Sequence, residues 1–523
     1  METESPSVAP AAWKPKFNPW LIGVVVALAA FMEVLDTDIA NVALPHIAGN
    51  LGASNSESTW VLTSYLVSNA IVLPISGWLA DFFGRKRFFM LCIFFFALSS
   101  VLCGLAPTLG LLIFFRVLQG AAGGGLQPLS QAILADTFPP ALRGMAFAMY
   151  GVTVVVAPTV GPVLGGWITD NYTWRWIFFI NVPMGLLALA LVRRLVEDPP
   201  YLLKKVGAGV KIDYIGISLL TLGVGALQVL LDKGQEDDWL GSHFIVTLMG
   251  IAGVCLVALF FWEWFHKDPV IEVRLFKNFN FATANLMMFF LGAVYFSSLV
   301  LMPQFLQTLL GYTAQTAGQV LGLGGLVLFC TLPVVGQLTS RMQARYMVAI
   351  GWLAIVLSMA LSAVRMDLLI SYPAARWLRI AQSAGLGFLF IPINLVAYIG
   401  LPPEKSASIS GIINFMRNIG SSVGTSMVTT LLDRRSQFHQ VHLVQRATAF
   451  NPAFQNLISA LSDRLGSDAH AYAAFYRSVL GQAQALAYID TYWLLALAGS
   501  VMLALCLVLK RNEPGAGGEI AVG

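Results

Sequence analysis

The sequence predicts an all-α polytopic membrane protein with about fourteen transmembrane helices, and three observations lead there. Hydrophobic residues make up 57% of the 523 positions and charged residues only 11%, against roughly 25% charged in soluble domains. Apolar windows of about 20 residues, the length that crosses a bilayer as one helix, recur along the chain. Lysine and arginine gather in alternate loops, as they do on the cytoplasmic side of membrane proteins.

The windows fall near 20–44, 59–80, 88–106, 109–135, 145–168 and 175–192. They continue near 213–231, 244–264, 281–303, 314–338, 347–365, 375–399, 407–432 and 486–510. The opening segment METESPSVAPAAWKPKFNP has no apolar core and reads as a cytoplasmic tail over 1–19 rather than a signal peptide. The expected organisation is then an N-terminal six-helix bundle over 20–192, a linker with two extra spans over 193–280, a C-terminal six-helix bundle over 281–510, and a tail over 511–523.

Lys14, Lys16, Arg85, Lys86, Arg87, Arg143, the 193–211 segment, Lys267, Lys277, Arg341, Arg345, Lys405, Lys510 and Arg511 all fall on one side. That side is expected to be cytoplasmic, with both termini on it. The acidic DKGQEDD run at 232–238 falls on the other. So does a polar loop over 433–485, which carries Arg434, Arg435, Arg446, Arg464 and Arg477 and has room for short helices and a docking surface. Within it His439 and His442 lack further ligands at metal-site spacing and read as solvated residues. The five cysteines show no paired spacing and read as small core residues, so no disulfide framework or metal is implied.

The first span carries Glu33, Asp36 and Asp38 in an otherwise apolar run. A carboxylate at bilayer depth costs about 2.5–3.5 kcal/mol on insertion scales, so it faces a partner or a watery cavity and marks proton or cation movement. Glu33 and Asp36, three apart, share a face, while Asp38 points largely away. Satisfaction by buried polar neighbours, for packing alone, is the other reading. Arg116 is a cation inside the fourth span, and its charge needs a carboxylate or carbonyl partner. The acids of the first span can supply one; helix-end carbonyls are the alternative.

FFRVLQGAAGGG at 114–125 is echoed by WLRIAQSAGLGF at 377–388, which aligns Arg116 with Arg379 and Gln119 with Gln382 at an offset of 263. FPP at 138–140 and LPP at 401–403 repeat at the same offset, so the halves are read as a duplication. Parallel repeats place a substrate site between two bundles near the midplane. The acidic span has an apolar counterpart in which Tyr295 stands near the place of Asp36, and Asp81 is matched by Ser340. Proton chemistry is therefore expected in the N-terminal half. Asn41, Gln119, Tyr295, Asn414 and Arg417 are the candidates for lining a substrate cavity.

GWLADFFGRKR, spanning Gly77, Asp81, Gly84, Arg85 and Lys86, ends the second span. It suits a latch in which Asp81 bonds a neighbouring helix N-terminus and the basic turn, or else a simple topological anchor. GVTVVVAPTVGPVLGGW, from Gly151 to Trp167, places Ala157, Gly161 and Gly165 every four residues for close helix packing, with Pro158 and Pro162 to bend the helix.

LDTDIANVALP at 35–45, GWLADFFGRKR, RVLQG at 116–120, APTVGPVLGG at 157–166 and WRWIFFINVPMG at 174–185 resemble, in order, the motifs of the fourteen-helix drug:proton antiporters of the major facilitator superfamily. The resemblance is to the EmrB/QacA group, above all EmrB-type inner-membrane export pumps, and LQVLLDKGQEDDW at 227–239 strengthens it. It implies two six-helix bundles plus two extra helices, and proton coupling through Asp36 and Arg116. It also implies an exporter motif at Gly161 and Pro162, lipophilic substrates, and a periplasmic adaptor with an outer-membrane channel as partners. Asp38 stands where a threonine is usual, and Glu33 is an additional acid. No P-loop occurs, so ion coupling rather than a nucleotide cofactor or an enzyme is expected, with no nucleic-acid partner. An importer or facilitator of a small organic solute is the alternative function.

Overall fold

A computed structural model describes residues 15–203, 212–445, 447–448 and 450–506. Lys14, Lys211, Arg446, Lys510 and Arg511, and with them the outer parts of both tails, lie outside the described residues. The described residues form helices and no strands. This follows from the solvent: in lipid every backbone N–H and C=O must be bonded within the chain, and a helix achieves that alone.

The membrane helices are α1 (Pro19–Leu51), α2 (Trp60–Phe83), α3 (Arg85–Leu105), α4 (Leu109–Thr137), α5 (Arg143–Asn171) and α6 (Trp176–Leu195). Two more follow, α7 (Tyr214–Lys233) and α8 (His243–Phe265). The last six are α9 (Phe279–Thr308), α10 (Ala314–Leu338), α11 (Ala344–Arg365), α12 (Tyr372–Ala397), α13 (Ser406–Val444) and α14 (Asp468–Leu505). Thirteen of these are long and apolar enough to cross a membrane. The remaining one, α13, is more polar along its length yet packs between α2, α9 and α14.

Local chemistry sets several boundaries. The Asn18 side chain accepts a hydrogen bond from the Trp20 amide and opens α1, which Gly52 closes at φ +64°. Gly84, at φ +87°, makes the sharp turn between α2 and α3 that a side chain would oppose. In α4 the small-residue run lets the helix touch α2: a Cβ on Gly120 would run into the Tyr65 carbonyl oxygen. The helix α9 carries a π-turn at Gly292–Phe296, where Gly292 lies directly under the Arg417 carbonyl of α13.

The helices α1 to α6 pack among themselves, and so do α9 to α14. The two groups meet along two seams, α2 with α13 and α5 with α10, and the second half of α4 also contacts α13. The helices α7 and α8 pair with each other, and α7 leans on both α2 and α13.

The 433–485 segment holds the short helix expected of it, but the flanking helices run much further into it than expected. Its first part continues α13 as far as Val444, its last part begins α14 at Asp468, and Pro452–Leu465 is a helix of its own. At about 1.5 Å per residue, the 39 and 38 residues of α13 and α14 far exceed the roughly 30 Å hydrocarbon layer. Both helices therefore project beyond it as a stalk. Side-chain bonds between the two helices brace its base: Arg435 Nε lies 2.6 Å and His439 Nε2 2.7 Å from Asp490. His439 is therefore not the solvated residue expected, whereas His442 is exposed and contacts the Phe438 carbonyl and ring.

Candidate functional site

The helix α1 brings its acids into the interior of the N-terminal group, where apolar neighbours fill most of the volume. Asp36 is 2% exposed and Arg116 fully buried. Arg116 Nη1 stands 2.5 Å from Asp36 Oδ2. The other carboxylate oxygen accepts from Gln119 Nε2 at 2.9 Å and from Asn181 Nδ2 at 2.6 Å. Arg116 also donates to the Val61 carbonyl and to Gln119 Oε1, and its guanidinium lies 4.2 Å over the Tyr65 ring. Asn181 donates in addition to Ser100. Five helices thus converge on one ion pair: α1, α2, α3, α4 and α6. Such a pair resists loss of either partner, because a lone buried charge costs about 3–5 kcal/mol.

Glu33, one turn earlier and also buried, belongs to a different network. It accepts from Tyr65 at 3.3 Å, from Asn69 at 3.1 Å, and from Gln127. The Gln127 amide oxygen in turn accepts from Tyr150 of α5 and from Arg417 of α13. Glu33 is thereby linked through one glutamine to a cation of the C-terminal group. One turn further along α4, Gln131 accepts from Asn414 of α13 at 2.8 Å. The shared face of Glu33 and Asp36 does not make them one site; the Tyr65 side chain lies between, its hydroxyl on Glu33 and its ring under Arg116.

Asp38 is half-buried and packs against α5, with its Cβ 2.8 Å from where a Cβ on Gly161 would be. Among the described residues it has no hydrogen bond or ion pair. Gly165 similarly rests on the Ile39 backbone, and Ala157 is fully buried. The small-residue stripe of α5 is the surface on which the acidic helix lies. The helix α5 runs unbroken through Pro158 and Pro162, and Gly151 faces Leu332 of α10 and Phe390 of α12.

The residues expected to line a cavity lie in different settings. Gln119 is fully buried beneath the ion pair, and Asn41 is exposed. Tyr295 is buried and accepts from Arg379 at 2.9 Å, which itself donates to Gln382 at 3.2 Å. The second half thus repeats the arginine–glutamine pair of the first with a phenol where the carboxylate stood. Asn414 and Arg417 are buried crossing contacts to α4.

At the basic end, Gly77 abuts Ser408 of α13, and Gly144 of α5 abuts Gly336 of α10. Arg85 pairs with Asp136 of α4, whose other oxygen accepts from Ser406 at 3.0 Å. The Lys86 amide donates to Asp198, and its ammonium to the Arg193 carbonyl. Burial raises the Asp198 carboxyl above its ordinary range, against the lowering effect of these basic neighbours. Asp81 sits half-buried one turn before Gly84. Asp136, which no motif singled out, joins the basic turn to the C-terminal group.

Reasoning from the sequence missed Asn181, Gln127, Tyr65, Asn69 and Asp136. A signal existed for most of them: each is a polar side chain in an apolar helix, and Gln127 and Gln131 share one helical face.

Helix bundles joined by two close seams, with an ion pair sealed inside one of them, define a membrane transporter rather than a soluble binding protein. The pattern that defines the Major Facilitator Superfamily matches residues 26–425, and the chain belongs to that superfamily. It is 38% identical to the multidrug export protein EmrB of Haemophilus influenzae over 94% of this chain and 96% of that one. It is 36% identical to Escherichia coli EmrB over 95% and 96%, and 35% identical to the fatty acid resistance protein FarB of Neisseria gonorrhoeae over 92% and 93%. Among solved structures it superimposes on the proton:xylose symporter XylE with a TM-score of 0.63 at 14% identity, over 96% of this chain and 97% of that one.

Proposed function

We propose that this chain is a proton-coupled multidrug exporter of the bacterial inner membrane, working by alternating access with both termini in the cytoplasm. The names of its relatives support the export of toxic lipophilic compounds. The observation that carries the coupling is the buried Asp36–Arg116 pair with its two amide donors. Protonation of Asp36 removes the charge that Arg116 balances, so the guanidinium must find a new partner or move. Movement of α4 relative to α1 then reaches the seam, because the second half of α4 touches α13 through Gln131 and Asn414.

Glu33 supplies a second handle, since a proton there weakens the acceptor that holds Gln127 in reach of Arg417. The seams close at the basic end, at Gly77 with Ser408 and Gly144 with Gly336, so access in this conformation is assigned to the opposite face. The coupling ion is the proton and no other cofactor is invoked; the reaction is transport, not catalysis. Substrates and membrane lipid are the immediate partners. In this reading a periplasmic adaptor and an outer-membrane channel complete the path, and the projecting ends of α13 and α14 are the surface proposed to dock them.

Proteoliposomes holding the purified chain test the reading. Export of a lipophilic dye should require a proton gradient and stop when pH difference and voltage are both collapsed. Dye movement that continues unchanged without either gradient overturns it.

A further inference from the structure

Where α7 crosses the seam between α2 and α13, the helices enclose a groove of about 380 Å³. It lies apart from the Asp36–Arg116 pair, near the acidic end of α7. Leu66 of α2 and Leu231 of α7 give it apolar wall, while Gln228, Asp232, Ser422 and Ser426 supply polar atoms. Two of these are buried and incompletely bonded. Gln228, 2% exposed, donates its amide nitrogen to Ser422 at 2.9 Å, but its amide oxygen has no partner among the described residues. Ser426, 6% exposed, has an unpartnered hydroxyl there as well.

A buried acceptor without a donor keeps the full cost of its desolvation, so the site is incomplete as it stands. Asp232 adds a carboxylate that accepts only from Thr63 among the described residues. Lys233 pairs with Glu236, which also lines the groove, and bonds Thr59 and Ser56, so Asp232 has no direct ion pair among the described residues. What is missing is a compact group with several N–H donors and a positive charge, attached to an apolar body.

We infer that the α2–α7–α13 groove binds a primary ammonium group carrying an apolar tail, with Asp232 as counter-charge and Gln228 and Ser426 as hydrogen-bond partners. The ammonium can come from a free alkyl amine or from an aminophospholipid headgroup. Because α7 bonds both groups of helices, through Thr63 on α2 and Ser422 on α13, a bound ammonium would act where the two groups move against each other. The inference concerns binding and does not depend on the direction of transport.

The test uses the full chain in phosphatidylcholine nanodiscs and a diazirine-bearing decylamine as probe. Photolabel should map to 219–239 and 418–430, and the apparent affinity should fall at least about tenfold in Asp232→Asn. The milder Ser426→Ala should weaken labelling partially while leaving the melting temperature in place, and the N-acetylated, uncharged probe should not label the groove. Asp36→Asn should leave this labelling intact. If phosphatidylethanolamine in the nanodisc competes the probe away, the lipid headgroup is an occupant; if it does not, the site takes free amines, and either result supports the inference. Labelling that is indifferent to Asp232→Asn and Ser426→Ala, or that follows the acetylated probe equally, overturns it.

Discussion

Asp36 and Arg116 show how much one buried pair dictates at the level of single residues. With Asp36→Asn the amide can still meet Gln119 and Asn181, but Arg116 keeps its charge without a counter-ion. The expected cost is about 3–5 kcal/mol, read as a lowered melting temperature together with loss of gradient-driven efflux. Adding Arg116→Gln removes the stranded charge, so the double variant should regain most of the melting temperature and none of the efflux. Efflux that survives Asp36→Asn would take Asp36 out of the coupling. Arg116→Lys keeps charge but loses the fork that reaches Asp36, Gln119 and Val61 at once. It should transport weakly where Arg116→Ala does not transport at all, and equal activity of the two would reduce Arg116 to a scaffold.

Helix α5 carries the clearest prediction at the level of elements. A side chain on Gly161 would meet Asp38 at 2.8 Å, whereas one on Gly166 meets nothing within 4 Å. Gly161→Leu should therefore force α5 off α1 and reduce efflux at least about tenfold, while Gly166→Ala should pass unnoticed, because close approach of membrane helices depends on which face the small residue occupies. Vesicle transport rates at matched protein levels decide this, and equal loss in both would mean that α5 responds to bulk rather than to a face. The small-residue stripe and the acids were both legible in the sequence; that the stripe lies beneath Asp38 was not. The extensions of α13 and α14 escaped notice for the opposite reason. Their polar, mixed-charge composition breaks the apolar window, yet residues such as Arg435, His439 and Asp490 pair between helices rather than dissolve in water.

The two seams govern the whole molecule. The α2–α13 contact at Gly77 and Ser408 leaves no room for a larger residue, and Asp136 bridges the basic turn to Ser406. Gly77→Leu should hold this end apart and favour the state open on the basic face. A cysteine introduced at Ser410, fully buried behind the seam, should then react faster with a membrane-permeant maleimide than it does in the parent. An unchanged labelling rate would show that the seam is not where access is controlled.

Reading the chain alone established a polytopic helical membrane protein, the arginine–glutamine motif that recurs in its two halves, and the acids and arginines that had to be partnered inside it. Those conclusions follow from one-dimensional properties: the length of apolar runs, and the cost of a charge in hydrocarbon, which holds wherever the helix is placed. Which partner each charge takes depends on how helices far apart in sequence rotate and cross. Only the tertiary structure decided that Asp36 meets Arg116 and Asn181, that Glu33 reaches Arg417 through Gln127, and that Asp136 ties the basic turn to the opposite half.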